Sequence, residues 1–186
     1  MKYFIASDIH GSAYWCRKML ERFEESGAER LILLGDILYH GPRNDLPKDY
    51  APKEVIAMLN PLKDRIYAVR GNCEAEVDQM VLSFPVMADY ALLALNGHTI
   101  YATHGHIYNE EKLPPISAGD VLLHGHTHLL KAEKLEKDGI SFYHLNPGST
   151  SIPKGGNPNT YAVLDGDDYR ILDFDGNVVA AIKLGS

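Results

Sequence analysis

Lys2-Tyr3-Phe4-Ile5-Ala6-Ser7-Asp8-Ile9-His10 carries the reading of this chain: an apolar run that ends on an aspartate and a histidine two positions apart. A strand over 2–7 that delivers polar side chains from its carboxyl end accounts for it. The arrangement recurs four times. Leu31-Ile32-Leu33-Leu34 runs into Gly35-Asp36, and Ile66-Tyr67-Ala68-Val69 leads to Gly71-Asn72. Thr99-Ile100-Tyr101-Ala102 precedes His104-Gly105-His106, and Val121-Leu122-Leu123 precedes Gly125-His126-Thr127-His128. Loops at the carboxyl ends of neighbouring strands in an open α/β sheet line one crevice. Side chains far apart in sequence can therefore meet at one point.

The donors so gathered are carboxylate, imidazole and amide oxygen, which suit Mn, Fe, Ni or Zn; no cysteine among them points to a structural zinc knot. Taken singly, each segment has a plainer reading. Asp8-Ile9-His10 is a loop near a helix cap, Gly35-Asp36 a turn, and Gly71-Asn72 an Asx-turn. His124-Gly125-His126-Thr127-His128 is more specific, because imidazoles at three alternate positions are uncommon outside metal sites. Five segments in this order read as the ligands of a two-metal hydrolase.

Outward from these segments, the first half alternates strand and helix. Residues 12–26 read as a helix with Trp15, Met19, Leu20 and Phe23 on one face and Gly27 as C-cap. A strand over 30–35, a helix over 52–60 opened by Pro52, a strand over 65–70 and a helix over 75–83 follow. This βαβαβα order implies parallel pairing with right-handed crossovers. The second half is made of hairpins. Asn96-Gly97 joins strands over 90–95 and 99–102, Asp138-Gly139 joins 131–136 to 140–145, and Gly166-Asp167 joins 161–165 to 169–174. A last strand covers 178–184 after Asp175-Gly176-Asn177. Parallel and antiparallel pairs then share one domain spanning 1–186. Two long Gly/Pro-rich loops, roughly 37–51 and 146–158, stand out as functional candidates.

The chain has 186 residues, 45% of them hydrophobic and 23% charged, the composition of an ordinary globular protein. Its formal charge of −7 argues against bulk attraction to nucleic acid. A small phosphate substrate stays compatible, because bound cations reverse the sign locally. Cys16 and Cys73 make no disulfide framework. The first apolar run is too short for a secretory signal and no run reaches membrane-spanning length, so a cytoplasmic protein with no membrane partner is the expectation.

The ordered D-x-H, GD, GN, H and GHxH segments resemble the signature of the calcineurin-like metallophosphoesterases. His40-Gly41-Pro42-Arg43-Asn44, Asn146-Pro147-Gly148-Ser149 and Ile152-Pro153-Lys154-Gly155-Gly156 further resemble the small bacterial YfcE-type phosphodiesterases, extending the likeness over nearly the whole chain. The resemblance implies an α/β fold, a four-layer αββα sandwich with two mixed β-sheets, and a homodimer or higher homo-oligomer. It implies two divalent ions, Mn²⁺ first and Zn²⁺, Fe²⁺ or Ni²⁺ as alternatives. One ion would take Asp8, His10 and His128, the other Asn72, His104 and His126, with Asp36 bridging. Asp36, Asn72 and His104 would then be central to catalysis. The implied reaction is phosphodiester hydrolysis by a metal-bridging hydroxide. Two divalent ions, two aspartates and that hydroxide leave a net charge of about +1, which complements a phosphodiester monoanion.

Arg43, His40 and Lys154 on the long loops, with His106 and Cys73, are the candidates for substrate contact; each also reads as a solvated or packed residue. Cys73 marks a departure, since many members of the broader family place histidine there. His124 alternates with His126, so both face the same side and His124 orients a ligand; His98 reads as surface and His144 as packed. Two other functions remain on the same fold: a phosphomonoesterase, and a binding scaffold like the retromer subunit with a degraded site.

Overall fold

The computed structural model describes residues 1–185. Eleven strands and three α-helices follow one another as β1 (Lys2–Ala6), α1 (Ala13–Ser26), β2 (Arg30–Leu33), α2 (Pro52–Leu59), β3 (Ile66–Ala68), α3 (Glu76–Val81), β4 (Tyr90–Leu95), β5 (His98–Thr103), β6 (Val121–Leu123), β7 (Leu130–Lys137), β8 (Ile140–Pro147), β9 (Thr160–Asp165), β10 (Asp168–Asp173) and β11 (Val178–Lys183). They form a six-stranded sheet, β11-β10-β9-β1-β2-β3, and a five-stranded sheet, β4-β5-β6-β8-β7. Both are mixed: β1, β2 and β3 run parallel, as do β5, β6 and β8, and antiparallel strands flank each trio.

Strand alternation assigns each side chain to a layer. Phe4, Ala6, Leu31 and Leu33 face the helices and pack with Cys16, Met19 and Phe23 of α1 and Val55 and Leu59 of α2. Tyr3, Ile5, Ile32 and Leu34 face the other way, against Ile100, Val121, Leu123 and Leu145 of the second sheet. The two sheets thus lie face to face. The outer face of the second sheet presents Leu122 and Phe142, which pack with Leu113 and Ile116. That fourth layer is irregular chain over 105–119 rather than helix.

Local chemistry sets the element ends. Ser12 accepts from the Trp15 N–H at 3.2 Å to open α1, and Gly27, at φ +66°, closes it in the left-handed region. Asn96-Gly97 and Asp138-Gly139 all have positive φ, the requirement of two-residue hairpins. Helix α3 is shorter than the pattern predicts. The Gln79 amide donates to the carbonyls of Leu82 and Phe84 and its oxygen accepts from Val86, so a side chain takes over where the helix would continue. Residues 37–51 and 148–159 are the expected loops, the first tied back by a bridge between Ser12 and Tyr50. No helix among the described residues is long and apolar enough to cross a membrane.

Candidate metal centre

Loops leaving β1, β2 and β3 of one sheet and β5, β6 and β8 of the other meet at one edge of the sandwich. The backbone is bent sharply there. Among the described residues, five of the eight non-glycine positions with positive φ are Asp8 (57°), His10 (50°), Asp36 (53°), His126 (65°) and His128 (60°). Such conformations cost of order 1–3 kcal/mol each and cluster where function imposes them. Close approach adds to the bend. A Cβ on Gly35 would stand 2.5 Å from the Gly71 nitrogen, and one on Gly125 would collide with Ser7 Oγ.

The side chains turn their lone pairs inward. His10, His104 and His128 each place Nδ1 on a backbone carbonyl, that of Tyr39 at 2.8 Å, Leu34 at 2.6 Å and Ile152 at 2.5 Å. With Nδ1–H donating, Nε2 is an acceptor, the arrangement that orients metal-binding imidazoles. His10 Nε2 and His128 Nε2 lie 3.3 Å apart, each within 3.6 Å of Asp8 Oδ1. Asp8 Oδ2 accepts from Ser7 Oγ at 2.6 Å and from the His126 N–H at 3.1 Å, whereas Oδ1 is buried without a hydrogen-bond partner. Three acceptors thus converge with no donor among them, which fits a cation.

A second group lies beside the first. His104 Nε2 is 3.1 Å from Asn72 Oδ1 and 3.2 Å from His126 Nδ1. Asp36 stands between the groups: its Oδ1 accepts from the Cys73 N–H at 2.9 Å, and its Oδ2 is 3.7 Å from His10 Nε2 and 3.5 Å from His104 Nε2. Asp8–His10–His128 and Asp36–His104–His126 each offer ligand atoms within 4.8 Å of one another. Asn72 is exposed, whereas Asp8, His10, Asp36, His104 and His128 are buried.

Ionisation follows from this crowding. Burial opposes the charge on Asp8, yet the imidazoles of His10 and His128 close beside it hold it well below the usual carboxylate range. Burial likewise disfavours a charged His104, but Asp36 and Asp8 raise it to about 9. Burial, then the charge of His104, pushes His126 down to about 4.

Several supporting groups had no signal in the sequence. Buried Glu74 accepts three backbone N–H groups, from Asp36 at 2.8 Å, Ile37 at 2.7 Å and Gly71 at 2.5 Å, joining the loops after β2 and β3. Burial and the Asp36 charge raise its carboxyl to about 7. Ser149 Oγ and Ser151 Oγ both donate to the Asp8 carbonyl at 3.0 Å, which ties the loop after β8 to the loop after β1.

An open cleft of about 400 Å³ leads to the centre. Arg43, Lys154 and Cys73 line it together with His10, Asp36 and His126. His40 and His106 do not: His40 packs edge-on to Tyr39 and Tyr50, and His106 packs edge-on to His104, ring centroids 5.3 Å apart. Cys73 is half-buried, and burial with the Asp36 charge drives its thiol upward, so it stays protonated. His124 keeps the alternation of β6 and shares the outer face of the second sheet with Leu122, whereas His126, at φ 65°, leaves it for the centre, so the two do not face the same side. His98 is buried and bonded to the Gly119 carbonyl rather than on the surface.

Residues 1–169 match the model of the calcineurin-like phosphoesterase superfamily domain. The chain belongs to that superfamily. It is 46% identical to phosphodiesterase YfcE of Escherichia coli K12 over 99% of this chain and 98% of that protein. The solved structure of that E. coli phosphoesterase superposes with a TM-score of 0.95, covering 100% of both chains. An archaeal phosphodiesterase is similar at a TM-score of 0.63 and 25% identity, over 92% of this chain and 99% of that one. Vps29 of Entamoeba histolytica shares the fold, with a TM-score of 0.59 and 18% identity over the full length of both. This chain is a calcineurin-like phosphoesterase of the YfcE family with a His/Asp cluster of metal-binding geometry.

Proposed function

We propose that the protein hydrolyses small phosphodiesters and holds two divalent ions, Mn²⁺ foremost. Asp8, His10 and His128 form one ligand set and Asn72, His104 and His126 the other. The position of Asp36 Oδ2, 3.7 Å and 3.5 Å from imidazoles of the two sets, is the observation that carries this reading, since one carboxylate there lies within reach of both. These residues would hold an ion pair that, when bound, would supply an activated water at neutral pH and positive charge for the reacting phosphate oxygens. The chain's own residues do the rest. Ser7 and the His126 N–H fix Asp8, Glu74 fixes the backbone of Asp36, and the left-handed bends aim His10, His126 and His128. Arg43 and Lys154 bring positive charge to the rim, where Arg suits bidentate contact with phosphate. A net site charge of about +1 matches a diester better than a monoester dianion.

Chelation is expected to abolish turnover of an aryl phosphodiester and added Mn²⁺ to restore it, with Asp36→Asn inactive under both conditions. Activity that survives confirmed metal loss overturns the reading. A cytoplasmic homo-oligomer completes the proposal. Exposed Tyr67 and Leu92 on the edge strands β3 and β4 support the assembly, which sedimentation tests.

A further inference from the structure

A separate cluster lies on the outer face of the second sheet, where His124 stands two residues before His126 of the centre just described. His124 follows β6, and His144 on β8 pairs in register with Leu122 and with Glu133 of β7, so all four share that face. Glu110 comes from the irregular layer above, where Lys137 Nζ donates to its carbonyl at 2.6 Å and holds the segment down. His124 Nε2 and His144 Nε2 face each other at 2.8 Å, and Glu110 Oε2 is 3.4 Å from the first and 3.8 Å from the second. Both imidazoles are buried.

The other ring nitrogens decide what this means. His124 Nδ1 meets the Gly125 carbonyl at 3.0 Å, and His144 Nδ1 meets Glu133 Oε1 at 3.1 Å. Both partners accept only, so both Nδ1 atoms carry hydrogen and both Nε2 atoms present lone pairs. Two lone pairs and a carboxylate oxygen then converge on one point. Something positive must sit there. A carboxylate behind one imidazole and a carbonyl behind the other is the outer arrangement that tightens metal binding by histidine.

We propose that Glu110, His124 and His144 form a further divalent-cation site, distinct from the two-metal centre and suited to Zn²⁺. Two imidazoles and one carboxylate are a zinc-type donor set with room for an outside ligand. Zinc–nitrogen bonds of about 2.0–2.1 Å at a tetrahedral angle place the nitrogens about 3.3 Å apart, so the pair opens by roughly half an ångström. Glu110 is half-exposed, which gives the ion an entry route. The site fastens the irregular fourth layer to the sheet through a metal.

The test uses the full chain, stripped by chelator, re-equilibrated with Zn²⁺ alone and passed through gel filtration before bound zinc is counted. Wild type is expected to hold one more ion per chain than His144→Asn. Glu110→Gln, a half-exposed and isosteric change, is expected to bind that ion at least about 10-fold more weakly in competition with a chelating dye, and Glu133→Gln about 10–100-fold more weakly. Turnover of an aryl phosphodiester at saturating Mn²⁺ is expected to stay within a few-fold of wild type in Glu110→Gln, which separates this site from the main centre. Should His144→Asn fail to fold, the Glu110→Gln and Glu133→Gln affinities decide. Equal zinc count and affinity in wild type and these variants overturns the proposal and assigns the cluster a shared proton.

Discussion

Glu74 is not itself among the proposed metal ligands, yet its replacement by glutamine is expected to weaken metal binding. Its Oε2 accepts from the Asp36 and Gly71 N–H groups, and its Oε1 from that of Ile37. A glutamine keeps one carbonyl oxygen. It therefore holds either the Oε2 pair or the single Oε1 bond, and sets an NH₂ group against the remainder. Keeping the pair leaves one buried N–H unpaired, a loss of about 1–3 kcal/mol. Relief of a buried charge beside Asp36 offsets part of that, so Glu74→Gln should lie at the lower end; Glu74→Ala, which orphans all three donors, should lie well above it. The Asp36 backbone is then free to shift, and groups that orient ligands are typically worth about 10–100-fold in metal affinity. Mn²⁺ activation curves with an aryl phosphodiester, alongside thermal melts, provide the assay. The expected result is an activation midpoint displaced 10-fold or more with kcat at saturating Mn²⁺ within a few-fold of wild type. An unchanged midpoint and an unchanged Tm refute the idea that Glu74 positions Asp36.

Arg43→Ala and Lys154→Ala should raise KM with metal content intact, because they remove binding shared by ground and transition states; unchanged KM and kcat reassigns the two loops. Cys73→His should favour poor-leaving-group diesters and monoesters, since general acid help is worth about 10²–10⁴-fold and the protonated thiol is a poor donor; parallel plots of rate against leaving-group pKa for the two proteins count against it. In chelated protein His104, raised to about 9, stabilises the fold fully below its ordinary value of 6.5 and loses that contribution as pH rises through 9. Melts of chelated protein should therefore fall over that window while Mn²⁺ affinity rises, with proton release detectable by calorimetry in two buffers.

The fold was legible where one periodicity ruled. Phe4-Ile5-Ala6 and Val121-Leu122-Leu123 read as buried strands and are so, and the Asn96-Gly97 and Asp138-Gly139 turns fall where their chemistry demands. The fourth layer was not legible, because 105–119 has neither period and covers the sheet through scattered residues such as Leu113 and Ile116. Ligand spacing was visible in the sequence, but side-chain direction depends on backbone dihedrals. Alternation places His124 and His126 together only if the strand continues, and the left-handed turn at His126 breaks that assumption. Glu74 and Ser7 escaped notice for another reason. Their partners are main-chain groups or an adjacent carboxylate, and a polar residue in a polar loop carries no pattern.

The left-handed bends at Asp8, His10, Asp36, His126 and His128 have a consequence for how such a chain drifts over generations. Each is a conformation that glycine adopts far more readily than aspartate or histidine. A lineage released from selection for turnover gains about 1 kcal/mol whenever one of these five is exchanged for glycine, provided the neighbouring packing holds. Loss of chemistry is thus downhill in stability, while return to it is uphill at several positions together. Descendants that keep this architecture without its reaction should be sturdier than their working ancestors, and slow to recover the activity they shed.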